Sequence, residues 1–179
     1  MFYSFDGKVP VVGRGTYVSE LATVIGNVEI GEDCYVGPGA ILRGDHGRIE
    51  IGDGSAVEEG VIIHAAPGHT QAIGRKVTLG HGAMVHARTI GDGAVVGMGA
   101  VVSIESEIGA GAIVAEGTVV KWGQSIEAEV MAAGNPAREI RAVNDKDRLI
   151  WGYGKQLYID LAHKYLEEGM HPVEPVRKP

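Results

Sequence analysis

Branched aliphatic residues recur at every sixth position along most of this chain. The first run is Val12, Val18, Val24, Ile30, Val36 and Leu42. Three extra residues later it resumes as Ile51, Val57 and Ile63, and four extra residues later as Ile73, Leu79 and Val85. One residue early, it continues through Ile90, Val96, Val102, Ile108, Val114, Val120 and Ile126. A period of six fits neither the 3.6 of a helix nor the alternation of a strand. It fits a hexapeptide solenoid, in which each hexad is one short strand and a corner, and three hexads close a triangular coil of about 18 residues. The nineteen aliphatic positions predict about six coils, an all-β solenoid over residues 1–134.

The period fades after Ile126, and Gly134-Asn135-Pro136 opens a more charged tail, residues 135–179, predicted as a helical extension packing on the solenoid. Asn144 is placed to cap a short helix from near Asp145, with Gly152 and Gly154 breaking it. A second stretch, Lys155 to Glu168, sets Leu157, Leu161 and Tyr165 at helical spacing, with Tyr158, Ala162 and Leu166 beside them, before Gly169.

Composition agrees with a narrow interior, since aromatic residues make up only 6% and glycine is abundant, 28 in 179 residues. The Gly-x-Gly pairs fall at corners of the repeat and open no strand-turn-helix unit, so they read as corners rather than dinucleotide loops. A net charge of -7 gives no electrostatic footprint for nucleic acid or an anionic membrane. Met1 to Pro10 has neither the apolar run of a signal peptide nor a basic leader, and no apolar run reaches membrane-spanning length, which predicts a cytoplasmic protein. The single cysteine, Cys34, lies two residues before inward Val36 and is predicted to point into the core.

Position in the repeat separates three of the seven histidines from the rest. His64 follows inward Ile63 and His86 follows inward Val85, three hexads apart if the extra residues after His64 bulge out as a loop. Stacked coils about 4.8 Å apart would set these imidazoles one above the other. His81 lies one hexad before His86, on a different face, beyond reach within one prism. Three parallel prisms would bring that face against a neighbour's His64/His86 face, which points to a homotrimer with metal sites between subunits; a polar groove lining is the other reading. Three neutral imidazoles leave a fourth position open, as a catalytic zinc requires. Arg43 lies one coil below His64 with Asp45 two positions on, and Glu59, with Glu58 beside it, lies one coil below His81. These four residues read equally as an intersubunit ion-pair set or as groups that orient the histidines and a bound water.

Arg43-Gly44-Asp45, His64 and His81-x4-His86, set in hexapeptide repeats before a C-terminal helix, resemble the gamma-class carbonic anhydrase family. The stretches from Gly91 to Val102 and Gly134-Asn135-Pro136-Ala137 resemble its shorter PaaY/YrdA/CaiE-like branch. The resemblance implies a left-handed parallel β-helix with a C-terminal α-helix and a homotrimer. It also implies zinc (Zn2+), or Fe2+ or Co2+, on His64 and His86 of one chain and His81 of another, with Arg43, Asp45, Glu58 and Glu59 around it. This chain departs from the family in reading Ala56-Val57-Glu58-Glu59 where Asn-x-Gln-Asp is common. Its loop Ala65 to Ala72 also lacks the long acidic insertion with a proton-shuttling glutamate. His69 is the candidate substitute carrier there, beside its reading as an ordinary loop histidine, and His46 is read the same way.

Three functions follow as expectations. The first is reversible hydration of CO2 to bicarbonate by a metal-dependent lyase. The second is acyl transfer or thioester hydrolysis with coenzyme A in a groove between subunits, with one histidine as general base. The third is a trimeric scaffold stabilised by metal.

Overall fold

A computed structural model describes residues 1–176 and shows a left-handed parallel β-helix of about seven turns followed by one α-helix. The sequence of inward positions holds through the prism: from Val24 to Ile126 every predicted aliphatic is buried, while Val12 and Val18 in the first turn are partly covered. Each pairs with its counterpart one coil on, as in the column Leu42, Ile63, Val85, Val102 and Val120. The residue two positions earlier also points inward, so Ala40, Val61, Ala83 and Ala100 complete the same rungs, and Cys34 is fully buried as predicted. Burial pushes the Cys34 thiol up to about 11, which keeps it protonated and unreactive.

The extra turn beyond the predicted six comes from both ends. Phe2–Tyr3 pairs with Val24 and Ile25, and Val130–Ala133 pairs with the Ile113–Val114 rung, although neither carries a branched aliphatic at the sixfold spacing. The corners explain the glycine content. A Cβ on Gly91 would lie 2.5 Å from the backbone nitrogen of Ala110 in the next coil, and Gly93 has φ 70°, a left-handed conformation that glycine adopts freely.

The phase breaks have structural causes. The three extra residues after Leu42 extend one strand, Ile41–Ile51, around a corner. It pairs first with Ile62–His64 and then with Thr70–Ile73, joining two walls into a 12-stranded sheet. The extra residues after His64 form the turn before Thr70, as predicted. The third wall is a separate 8-stranded sheet running from Tyr17–Val18 to Arg138–Ala142.

The tail differs from expectation at three points, and its last residues, 177–179 of the predicted 135–179 extension, lie outside the described residues. It begins with a strand: Arg138–Ala142 returns antiparallel along Val130–Ala133 and caps the third wall. Next, Asp145–Glu168 is a single helix, α1, with no break at Gly152 or Gly154. The two glycines cost about 1 kcal/mol each relative to alanine, and packing on both sides of them outweighs that local preference. Trp151 meets Val143 and Met131 before the glycines, and Tyr158, Leu161, Ala162 and Tyr165 meet Tyr17, Tyr35 and Ala56 after them. Finally, the buried stripe is this second set, while Leu157 and Leu166 face solvent. Helix α1 therefore runs along the third wall, from the Val95–Ile113 rungs to Tyr17, Tyr35 and Ala56. Asn144 caps it through a reciprocal bond pair with Asp147. Among the described residues no helix is long and apolar enough to cross a membrane.

Candidate functional site

The predicted site residues gather at two corners, one at each edge of the wall that carries the Leu42–Ile63–Val85 column. At the far edge, pairing of Arg43 with His64 and of Ile63 with Val85 brings Arg43, His64 and His86 into one vertical line. The His64 and His86 rings meet edge to face with centroids 4.9 Å apart. An Arg43 guanidinium nitrogen lies 2.8 Å from His64 Nε2, and the Asp45 carboxylate lies 3.6 Å from both Arg43 Nε and His64 Nε2. Both histidines are half-buried. Burial, reinforced by the Arg43 charge, lowers the pKa of each, and His86 adds to the effect on His64, so both are held neutral. Burial works to raise the Asp45 pKa, but the His46 backbone N–H and Arg43 together hold that carboxyl below its usual value.

The near edge has the opposite character. His81 sits on the turn after Thr78–Leu79, one coil above Glu58 and Glu59. Glu59 Oε2 lies 2.6 Å from His81 Nδ1, and Glu58 Oε2 lies 3.1 Å from His81 Nε2 while accepting the His81 backbone N–H at 3.0 Å. One carboxylate is braced by a buried tyrosine: the Tyr35 hydroxyl donates to Glu59 at 2.5 Å. Glu58 is only 5% exposed, and burial pushes its carboxyl up against the pull of His81 and Tyr158. Burial opposes ionisation of Glu59 too, yet the Tyr35 hydroxyl, a backbone N–H and His81 hold it below the usual range. Burial and the adjacent carboxylates raise both tyrosine hydroxyls, which stay protonated donors.

Within one chain, then, His64 and His86 come together with Arg43 and Asp45, and His81 comes together with Glu58 and Glu59 at a separate corner. Among the described residues no group of three or more His, Cys, Asp or Glu side chains is arranged to hold a metal ion within one chain. His69 bonds Glu105 at 2.9 Å beside the loop, His46 is exposed, and His163 meets Asp33 at 2.7 Å, tying α1 to the solenoid. Tyr35 is the site residue that sequence reading missed. The legible trace was Tyr17 and Tyr35 occupying the same outward phase one coil apart, large aromatic surface on a wall that something had to cover.

The family model described as bacterial transferase hexapeptide (six repeats) matches residues 10–44. The chain is 36% identical to the carnitine operon protein CaiE of Escherichia coli strain K12 over 178 residues, covering 99% of this chain and 90% of that protein. In structure it is similar to a hexapeptide transferase family protein from Anaplasma phagocytophilum, at 29% identity and TM-score 0.87, covering 92% of this chain and 98% of the other. It is also similar to a Bacillus cereus protein assigned as an acetyltransferase, at 28% identity and TM-score 0.91, covering 93% and 97%.

Proposed function

The chain belongs to the hexapeptide-repeat family that includes CaiE, and from that premise we propose that it is a coenzyme A-dependent acyltransferase working as a homotrimer. One observation supports this most directly: an exposed imidazole, His81, is oriented by two carboxylates, buried Glu58 and Glu59, the latter bonded by the buried Tyr35 hydroxyl. With Nδ1 held by Glu59, His81 Nε2 can exchange its Glu58 contact for an acceptor hydroxyl, amine or water and take that group's proton as it attacks a thioester carbonyl. The new C–O or C–N bond forms, the C–S bond breaks, and the imidazolium returns the proton to the thiolate. The names of the similar structures, a hexapeptide transferase family protein and an acetyltransferase, support this class over a lyase. Titration calorimetry with acetyl-CoA, joined to a thiol-release assay, tests the proposal. Micromolar to millimolar binding with thiol release is expected, and no heat at millimolar ligand together with no released thiol overturns it.

The His64/His86 pair favours a second reading, reversible CO2 hydration on a bound metal. Neutral imidazoles are the ligating form, and two stacked on one corner suit Zn2+, Fe2+ or Co2+, so the residues fit. His64 and His86 would hold the ion with His81 of another subunit, and Arg43 and Asp45 would orient His64. Such an ion supplies the Lewis acidity that makes water a nucleophile at neutral pH. Elemental analysis of protein purified without oxygen, followed by stopped-flow CO2 hydration, decides this reading. One ion per chain with hydration above buffer supports it, and hydration at background in fully loaded protein removes it.

A further inference from the structure

Glu59 holds the His81 imidazole, and the coil beneath builds the seat in which Glu59 itself is held. The two carboxylate oxygens have separate tasks: Oε2 lies 2.6 Å from His81 Nδ1, and Oε1 accepts the Tyr35 hydroxyl at 2.5 Å. A glutamate side chain that is 40% exposed, as this one is, would by itself sample several rotamers. Tyr35 has no such freedom. It is 2% exposed, and its ring lies 5.8 Å from that of Tyr17 and 5.2 Å from that of Tyr158.

The second part of the seat is Gly37, two residues after Tyr35 on the same coil. A Cβ at Gly37 would lie 2.7 Å from Glu59 Oε1, 3.1 Å from the carboxyl carbon and 3.0 Å from the Glu59 backbone nitrogen. Gly37 does not adopt the left-handed conformation, so it is the space, and not the backbone angle, that calls for glycine here. Gly80 and Gly97 hold the same corner position in higher coils, and there the nearest atoms are the backbone nitrogens of Met98 at 2.8 Å and Glu116 at 2.6 Å. In this column, then, the room under Gly37 is filled by a carboxylate that reaches up to a histidine.

We infer that Tyr35 and Gly37 are positioning residues for His81, acting through Glu59: the hydroxyl pins one carboxylate oxygen, and the missing side chain leaves the space that the carboxylate fills. The consequence is a fixed choice of nitrogen. A carboxylate held against Nδ1 keeps that atom as the donor and leaves Nε2 to meet an acceptor group. The inference about activity rests on the acyl-transfer reading; the placement of His81 does not.

The test compares Tyr35→Phe, Gly37→Ala, Glu59→Ala, the double variant Tyr35→Phe/Glu59→Ala and Tyr165→Phe, with thermal melting to confirm folding. Two readouts are used: the kinetics of acetyl transfer from acetyl-CoA, and the rate at which diethyl pyrocarbonate modifies His81, followed by peptide mass spectrometry. Tyr35→Phe is expected to lower kcat roughly ten-fold with little change in KM, the scale of a lost hydrogen bond to a charged group. It should also speed His81 modification several-fold. Gly37→Ala removes no hydrogen-bonding group, yet it should push the carboxylate aside and move both readouts in the same direction. The double variant should match Glu59→Ala, because both changes cut one path. Tyr165→Phe, in the same aromatic layer with its ring 4.6 Å from that of Tyr17, should match wild type. A folded Tyr35→Phe with native His81 modification overturns the inference, as do additive losses in the double variant, and a native rate in folded Gly37→Ala overturns the part given to Gly37. If wild type shows no acyl transfer, the functional reading falls while the modification rates still judge the positioning. If Tyr35→Phe does not fold, Gly37→Ala is read in its place, and if neither folds, Glu59→Ala is; a native His81 modification rate in the variant so read overturns the inference.

Discussion

The two corners of the Leu42–Ile63–Val85 wall are built on the same rungs and hold opposite chemistry. At one edge two imidazoles face each other beside an arginine and are kept neutral. At the other a single imidazole is gripped by two carboxylates. The repeat decides only that a side chain stands at a corner, one coil above another. What lies one coil below, Arg43 under His64 or Glu58 and Glu59 under His81, decides what that side chain can do. The corners also differ in support, since the buried Tyr35 hydroxyl bonds Glu59 at the His81 corner and Tyr35 itself packs under helix α1.

The sharpest way to break this contrast is to remove one imidazole from each corner. His81→Ala is expected to lower acetyl transfer about 10²- to 10⁴-fold, the usual contribution of a general base. His64→Ala should leave it within a few-fold of wild type while abolishing any bound divalent metal measured by elemental analysis. If both variants lose acetyl transfer equally, the corners act as one centre shared between subunits, and the contrast is wrong.

A smaller effect, common to both corners, is expected from the rung between them. Ile63 is fully buried between Leu42 and Val85, so Ile63→Ala should cost about 2–5 kcal/mol in denaturant unfolding. It should weaken both corners together. A loss confined to one corner, read by His81 modification against metal retention, would mean that the wall does not transmit the defect.

Ile63 also shows how much of the molecule could be read from the sequence. Its inward position, its pairing with Val85 and the consequent stacking of His64 on His86 follow from counting in sixes, because parallel coils in register turn sequence spacing directly into neighbourhood. The same counting placed Glu59 beneath His81 and set His81 apart from the other two. Contacts made by α1 escaped it. Tyr158 packs on Tyr35 only because the helix docks at one particular rotation, which its own apolar pattern did not specify: Leu157 looked inward by spacing and is exposed. Gly152 and Gly154 read as breakers because propensity is local, whereas the Trp151 and Tyr158 contacts that carry the helix through them are tertiary.

Because α1 packs on Tyr35 and Ala56, beside the His81 corner, loosening its start should sharpen the contrast without touching the rungs. Asn144→Ala removes the cap and should cost about 1 kcal/mol. Diethyl pyrocarbonate modification is expected to rise modestly at His81 and to stay unchanged at His64 and His86. An equal rise at all three would show that the helix stabilises the whole prism rather than one edge.

The mildest perturbation is pH acting on the same helix start. Hydrogen bonds from Arg141 and from the Asn144 backbone lower the Asp147 pKa from 3.8 to about 2. A carboxylate with a depressed folded-state pKa contributes stability that is complete above its unfolded value and is lost as pH falls through the folded one. The melting-temperature difference between wild type and Arg141→Ala should therefore be steady from neutral pH down to about 4, shrink below that, and vanish near pH 2. Since Arg141 reaches solvent, high salt should reduce the difference at every pH. A difference that persists below pH 2, or that ignores salt, would mean Arg141 supports the helix through packing rather than charge.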